Sequence, residues 1–224
     1  MPVLEDKQTF FDQFWKTQSE TVVDARSLQR AEIIETSLRN REGTLLDIGC
    51  GRGLILEYFN YRGYETVGAD ISPEMVQMLS ERGFECRLLD IEKDKIGEKF
   101  DVVLCLETLQ HLFDPKTALR KAAAAVKPSG ELVVSLPNEF HIVARIKFLL
   151  GLSHLGHFNH WHIRLFTPKR AHQLFEQLNL KVTKETAIAI VPPRWKFLAK
   201  LFRPMAQVMP SLFSLSNVYF LEPK

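Results

Sequence analysis

Cysteine is scarce in this chain: Cys50, Cys86 and Cys105 are the only three in 224 residues. An odd number without framework spacing excludes a disulfide scaffold and points to reduced thiols in a cytoplasmic protein. An excess of charge of one sign is missing too. There are 29 Lys and Arg against 27 Asp and Glu, a formal net charge of +2. That excludes the strongly basic surface of a general nucleic-acid binder, so no nucleic-acid partner is expected. Long apolar runs are also absent. The most apolar stretches, 140–155 and 191–220, are interrupted by Arg, Lys, Pro or Gly. Neither supplies the roughly 18 uninterrupted apolar residues of a membrane span. Residues 1–20 carry acids and lack a continuous apolar core, so they do not read as a signal peptide.

What is present is the composition of an ordinary globular domain, 46% hydrophobic and 25% charged. The length suits one α/β domain, residues 1–224, with some extra elements. Residues 5–40 read as one or two helices, because Phe10, Phe11, Phe14 and Trp15 recur at helical spacing and Leu28, Ile33, Ile34 and Leu38 continue an apolar face. Short apolar runs then alternate with helical patterns. Strands are expected at 44–48, 64–69, 85–89, 100–106 and 131–136. A helix is expected near 53–60, a second from Ser72-Pro73, which opens on a capping side chain and a first-turn proline, and a third from Asp114-Pro115 to about Lys127. Continuous apolar strands separated by helices indicate a mainly parallel sheet covered on both faces.

After Pro137 the rhythm breaks. Residues 138–166 read as an irregular insertion rich in His and aromatics, followed by a helix from Thr167-Pro168 to about Asn179 and a strand at about 180–191. Pro192-Pro193 introduces a basic and aromatic helix, and 216–221 is a last strand candidate. Two late strands with no full crossover between them imply an antiparallel edge.

The strongest local signal is Leu45-Leu46-Asp47-Ile48-Gly49-Cys50-Gly51-Arg52-Gly53, a strand running through a glycine turn into a helix. Glycines let the backbone approach a ligand closely and adopt dihedrals closed to other residues. Amides at the helix start then face that ligand. The spacing is G-x-G-x-G, whereas dinucleotide loops read G-x-G-x-x-G; counting from Gly49, the third glycine would fall at Leu54. A nicotinamide or flavin enzyme is thereby disfavoured.

This stretch resembles the first motif of the class I S-adenosylmethionine-dependent methyltransferases, and the similarity extends over about residues 40–136. The resemblance implies an α/β, Rossmann-like, doubly wound, mainly parallel seven-stranded sheet with an antiparallel edge strand, N-terminal helices over 1–40, a cofactor-binding core over 41–137 and substrate lid elements at 138–166 and 192–215. It further implies S-adenosylmethionine as cofactor and S-adenosylhomocysteine as product. Asp70 in Val67-Gly68-Ala69-Asp70-Ile71-Ser72 occupies the family's ribose-binding acidic position, where a carboxylate accepts two hydrogen bonds from a vicinal diol. Ile71 matches the apolar contact on the adenine. Asp90-Ile91 matches the adenine-binding segment after the third strand, and Leu106 and Glu107 the positions beside the methionine part. Asp47, Gly49, Cys50, Gly51 and Gly53 complete the cofactor set, Cys50 through its backbone.

His111, in Glu107-Thr108-Leu109-Gln110-His111-Leu112, is the candidate general base. The segment is similar to the family's E-x-x-E-H, but Gln110 replaces the second acid, and no metal is expected. The His154, His157, His160 and His162 group has no Cys or acid at a zinc-site spacing; His160 to Thr167 instead resembles a family segment ending in R-x-F-T.

Trp15, His160, His162 and Arg164 are the candidate acceptor contacts. From Phe140 through Phe175 there is no acid but five Lys or Arg; from Thr186 through Leu221 the acids are absent again, with Arg194, Lys196, Lys200 and Arg203 beside Trp195, Phe197 and Phe202. An anionic acceptor with an apolar part, a small molecule or a lipid-linked one, is expected, with peripheral membrane contact through a helix near 194–208. The expected reaction is in-line methyl transfer, with oxygen as the favoured acceptor atom. The alternative is a catalytically silent cofactor-binding protein that acts through a partner enzyme.

Overall fold

The computed structural model describes residues 9, 11, 20–39, 41–152, 162–191 and 195–223. Its sheet has seven strands in the order β3-β2-β1-β4-β5-β7-β6. The strands are β1 (Gly43–Ile48), β2 (Tyr64–Asp70), β3 (Glu85–Leu88), β4 (Phe100–Leu106), β5 (Val126–Pro137), β6 (Leu180–Ala189) and β7 (Ser214–Pro223). The chain divides into two compact units, one of residues 1–106 and 121–132, the other of 107–120 and 133–224.

In the first unit, β1 pairs in parallel with β2 on one side and with β4 on the other, and β2 pairs in parallel with β3. The apolar runs are strands because both faces are covered: Leu45, Leu46, Ile48, Val102, Val103 and Leu104 are buried. The helices are α1 (Glu20–Glu35), α2 (Leu54–Asn60) and α3 (Pro73–Glu81). The α3 start follows the expected chemistry, with Ser72 Oγ accepting from the Met75 N–H at 3.2 Å ahead of Pro73. Asp101 ties two strands together, its Oδ2 accepting from the Thr44 N–H, the Thr44 hydroxyl and Lys127 Nζ at 2.8 Å each. Burial alone would push this carboxyl up, but the Lys127 and Thr44 hydrogen bonds prevail and hold it near about 2.

Gly53 caps α2 in the left-handed region at φ 77°. A Cβ there would meet Leu79 Cδ2 at 2.3 Å, and Leu79 is fully buried against Cys50 and Leu56. Gly53→Ala combines a left-handed penalty of about 1–2 kcal/mol with overpacking of about 1–3 kcal/mol. We therefore predict a loss of roughly 2–5 kcal/mol in urea unfolding at unchanged m-value. A loss within the ~0.5 kcal/mol usual for a surface change would refute the packing argument.

In the second unit, β6 and β7 pair antiparallel. The last strand in sequence is not the last in the sheet, since β7 lies between β5 and β6. Helix α4 (Pro115–Ala124) precedes β5, which begins at Val126, five residues earlier than the sequence pattern indicates, and runs through Pro128-Ser129-Gly130. The 138–166 segment is not wholly irregular: α5 spans Ile142–Leu149, with His141 Nδ1 accepting from the Ala144 N–H at 3.3 Å. Its run of apolar residues shows little periodicity to read, and histidine is an unusual cap. The remaining helices are α6 (Pro168–Gln177), α7 (Lys196–Val208) and a single turn, α8 (Pro210–Phe213). Helix α7 rests on β6 through Ala206, which is buried with Ala187 and Ala189, and Gln207 bonds both backbone groups of Ala187. No helix among the described residues is long and apolar enough to cross a membrane.

Candidate active site

Within the first unit the glycine turn is shaped by three residues in the left-handed region, Gly49 (φ 77°), Gly51 (φ 50°) and Gly53 (φ 77°). The Gly49 and Cys50 amides both donate to the Ala69 carbonyl, at 2.7 and 3.2 Å, which pins the turn against the end of β2. There Asp70, 5% exposed, accepts from the Gly51 N–H at 2.8 Å through Oδ2 and from the Ser72 N–H at 2.9 Å through Oδ1. The Asp70 carbonyl accepts from the Leu89 N–H at 2.9 Å. Ile71 follows, half-buried.

Asp47, 2% exposed at the end of β1, is the most perturbed carboxyl among the described residues. Burial, followed by the neighbouring Asp70 charge, pushes it up to about 7, with Arg30 offsetting part of the rise. Cys50 turns its thiol beneath the loop, 3.7 Å from the Cys86 sulfur. That hydrogen bond and burial hold the Cys50 thiol well above its ordinary range.

Asp90 follows β3. Its Oδ1 accepts from the Glu92 N–H at 3.0 Å and its Oδ2 lies 3.2 Å from Lys93 Nζ. Ile91 is buried, and its carbonyl accepts from Lys121 Nζ at 2.9 Å. Leu106, also buried, ends β4.

Within the second unit Glu107 adopts φ 52°, a left-handed conformation that costs a non-glycine residue on the order of 1–3 kcal/mol and concentrates at functional sites. A dense set of bonds holds it there. Its N–H donates to the Ser135 carbonyl at 3.1 Å, and its Oε1 accepts from the Ser135 hydroxyl at 2.9 Å and the Ser216 hydroxyl at 2.6 Å. The Glu107 carbonyl accepts from Gln110 Nε2 at 2.7 Å.

The same Gln110 nitrogen lies 3.3 Å from His111 Nε2. His111 in turn meets His162 edge to face, ring centroids 4.9 Å apart. His162 Nδ1 is 2.5 Å from Glu139 Oε1. Arg164 closes the group, its N–H donating to the Gln110 carbonyl at 3.0 Å and its guanidinium to the Phe113 carbonyl at 2.5 Å. Of the four expected acceptor contacts, His162 and Arg164 are thus gathered with His111. Trp15 and His160 lie outside the described residues, as do His154 and His157. Among the described residues no three His, Cys, Asp or Glu side chains gather as a metal ion would require.

Glu139, Ser135, Ser216 and Asn138 carry no sequence signal that marks them as site residues. Asn138 is buried and donates from Nδ2 to the Pro210 and Ser214 carbonyls at 3.0 Å each, holding the chain after β5 beside the start of β7. No motif announces such a hub.

A family model described as a methyltransferase domain matches residues 21–185. The chain belongs to the S-adenosylmethionine-dependent methyltransferases. It is similar to a ubiquinone biosynthesis O-methyltransferase of Idiomarina loihiensis, 33% identical over 138 residues, which cover 58% of this chain and 53% of that one. A second protein of the same description, from Coxiella burnetii, is 25% identical over 181 residues, covering 75% and 76%. The chain thus spans about half the length of the first relative and three quarters of the second. In fold it is similar to a crystal structure from Thermotoga maritima described as an S-adenosylmethionine-dependent methyltransferase and possible histamine N-methyltransferase, with TM-score 0.68, 17% identity and 96% and 99% coverage. The methyl donor of the family is S-adenosylmethionine, and the reaction class is transfer of a one-carbon group.

Proposed function

We propose that this chain methylates a hydroxyl oxygen on a small or lipid-linked acceptor that carries negative charge. The observation that carries the reading is the His111–His162 pair with its carboxylate, Glu139. A hydroxyl must lose a proton as it is methylated, and a positioned base contributes about 10²–10⁴-fold to such a step. An amine acceptor has its lone pair available once neutral and needs no such group in the transition state. The descriptions of the two O-methyltransferase relatives point the same way.

The donor contacts within the first unit are, in this reading, Asp47, Gly49, Cys50, Gly51, Gly53, Asp70, Ile71, Asp90, Ile91 and Leu106. The residues fit the donor. Left-handed glycines leave a turn without Cβ atoms, and a buried carboxylate at the end of β2 is a group that can accept the two hydrogen bonds of a vicinal diol, so Asp70 suits a ribose. Asp47 offers a buried carboxyl to an ammonium group. When bound, the donor supplies a methyl group already activated on a sulfonium, and its sulfur leaves with the bonding pair as a neutral thioether. The chain's own task is then orientation, which supplies on the order of 7–11 kcal/mol at best, and removal of one proton.

The acceptor's charge is inferred from the acid-free, basic segments at 140–175 and 186–221. Helix α5 carries apolar side chains into solvent, Leu149 being 82% exposed, and near α7 Phe197 is 83% exposed and Trp195 more than half. Exposed apolar groups amid Arg and Lys suit an anionic lipid surface, which gives access to a lipid-linked acceptor.

Two measurements test this. Purified protein supplied with S-adenosylmethionine should release S-adenosylhomocysteine with dihydroxybenzoates, more so when an alkyl tail is attached. Turnover confined to amine analogues would sink the oxygen assignment, and donor binding with no turnover of any acceptor would favour the silent reading. Sedimentation with phosphatidylcholine vesicles should rise when phosphatidylserine is included. Equal sedimentation with and without the anionic lipid removes the membrane contact.

A further inference from the structure

Two thiols meet beneath the glycine turn, over a residue of β2 that has no side chain. Cys50 lies in the turn and Cys86 in β3, yet their sulfurs are 3.7 Å apart. Gly68 is the register partner of Cys86 in β2. A Cβ on Gly68 would come within 2.9 Å of Cys50 Sγ and 3.1 Å of Cys86 Sγ, so its absence is what lets the two sulfurs share one spot on the sheet. The pair is unequal. Cys50 is 8% exposed, whereas Cys86 is only partly buried. The hydrogen bond between them holds the Cys86 thiol below its ordinary range, prevailing over burial and the Asp70 charge, and holds Cys50 above its own. A partly exposed thiol of lowered pKa beside a second cysteine is the arrangement that reacts with peroxide. In a reducing compartment a disulfide of this kind is transient and serves redox sensing.

We propose that Cys50 and Cys86 form a redox-modification site, closing to a disulfide under a hydroperoxide and so weakening the hold of the glycine turn on S-adenosylmethionine. The second half rests on the donor-site reading above. The Cys86 sulfur attacks a peroxide oxygen; the O–O bond breaks, water leaves and Cys86 becomes a sulfenic acid. The Cys50 sulfur then attacks the Cys86 sulfur. The S–S bond forms, the S–O bond breaks, and the departing hydroxide leaves as water with the Cys50 proton. Two thiols lose two electrons, and the peroxide gains them. The sulfurs must close from 3.7 Å to about 2.05 Å. Cys86 is held in its ladder with β2, whereas Cys50 sits between left-handed Gly49 and Gly51, whose backbone is more permissive. The movement therefore falls on the turn, and it draws the Gly51 N–H from Asp70 Oδ2, its acceptor at 2.8 Å in the reduced chain.

The test has a chemical and a binding arm. Protein treated with hydrogen peroxide and digested without reductant should yield a cross-linked peptide pair holding Cys50 and Cys86, lighter by two hydrogens than the reduced pair. Calorimetry should then show S-adenosylmethionine affinity lower by about 10-fold or more, the scale of one charge-assisted hydrogen bond. Dithiothreitol should restore it, and circular dichroism should be the same before and after oxidation. Cys86→Ser should bind the donor as the reduced wild type does and keep that affinity after peroxide. Absence of the cross-link overturns the proposal, as does a cross-link that leaves affinity unchanged or lowers it only by unfolding the chain. If the reduced wild type binds no S-adenosylmethionine, the donor-site reading fails, and the digest still decides the modification site separately.

Discussion

Asp70→Ala should weaken S-adenosylmethionine binding by about 10²–10⁴-fold, the largest effect we expect from any single side chain. Hydrogen bonds to a charged acceptor are worth about 1.5–3 kcal/mol each, and two ribose hydroxyls together correspond to that span of affinity. The same substitution leaves the Gly51 and Ser72 amides without their acceptor, at a cost of roughly 1–3 kcal/mol per buried donor. The variant should therefore melt earlier as well as bind less. Calorimetric titration below its melting transition separates the two losses. S-adenosylhomocysteine binding should fall in parallel, and NADH should bind neither protein, since the glycine spacing does not suit a dinucleotide. Wild-type affinity in folded Asp70→Ala would remove Asp70 from the donor site and leave it a purely structural clamp on the glycine turn.

The second large effect concerns Asp47 and depends on pH. Its carboxyl stands at about 7 in the folded chain against an ordinary 3.8, through burial and the adjacent Asp70. The native state holds this proton more tightly than the unfolded chain does. The associated stability is fully present below 3.8 and is lost as pH rises from 3.8 through about 7. With one pKa unit equal to 1.36 kcal/mol, the loss amounts to on the order of 4 kcal/mol. Asp47→Asn is neutral at every pH and nearly isosteric. It should exceed the wild type in stability above pH 7 by a margin of this order, with the margin shrinking toward pH 4. Urea unfolding of both proteins at pH 5 and pH 8 measures it; a difference that does not change with pH would refute the burial argument. The same variant should bind S-adenosylmethionine more weakly at pH 8, because an ionised carboxylate is the natural partner of the donor's ammonium. Stability gained and affinity lost in one substitution is the mark of a group kept strained for its ligand.

The parallel strands and the glycine turn are legible in the sequence because both are local or periodic properties. A strand buried on both faces must be apolar along its length, and Thr44 to Ile48, Tyr64 to Ala69 and Phe100 to Leu106 all announce themselves. Left-handed backbone favours glycine, so Gly49, Gly51 and Gly53 stand out by their spacing. Ser72-Pro73 and Thr167-Pro168 predict their helices because capping acts within four residues. The late chain is harder to read. Helix α5 escapes a periodicity argument because its apolar residues follow no single face, and the place of β7 inside β6 is a matter of pairing partners.

The amino-acid sequence by itself determined the fold class, the family and the donor motif, since these depend on residue type at short, fixed spacing. Tertiary structure alone decided how the polar groups are paired. It set Glu107 in a left-handed conformation against Ser135 and Ser216, 28 and 109 residues away. It turned Gln110 toward His111 and set Glu139 on His162. Such pairings depend on geometry over a few ångströms between residues distant in the chain, which no one-dimensional spacing encodes.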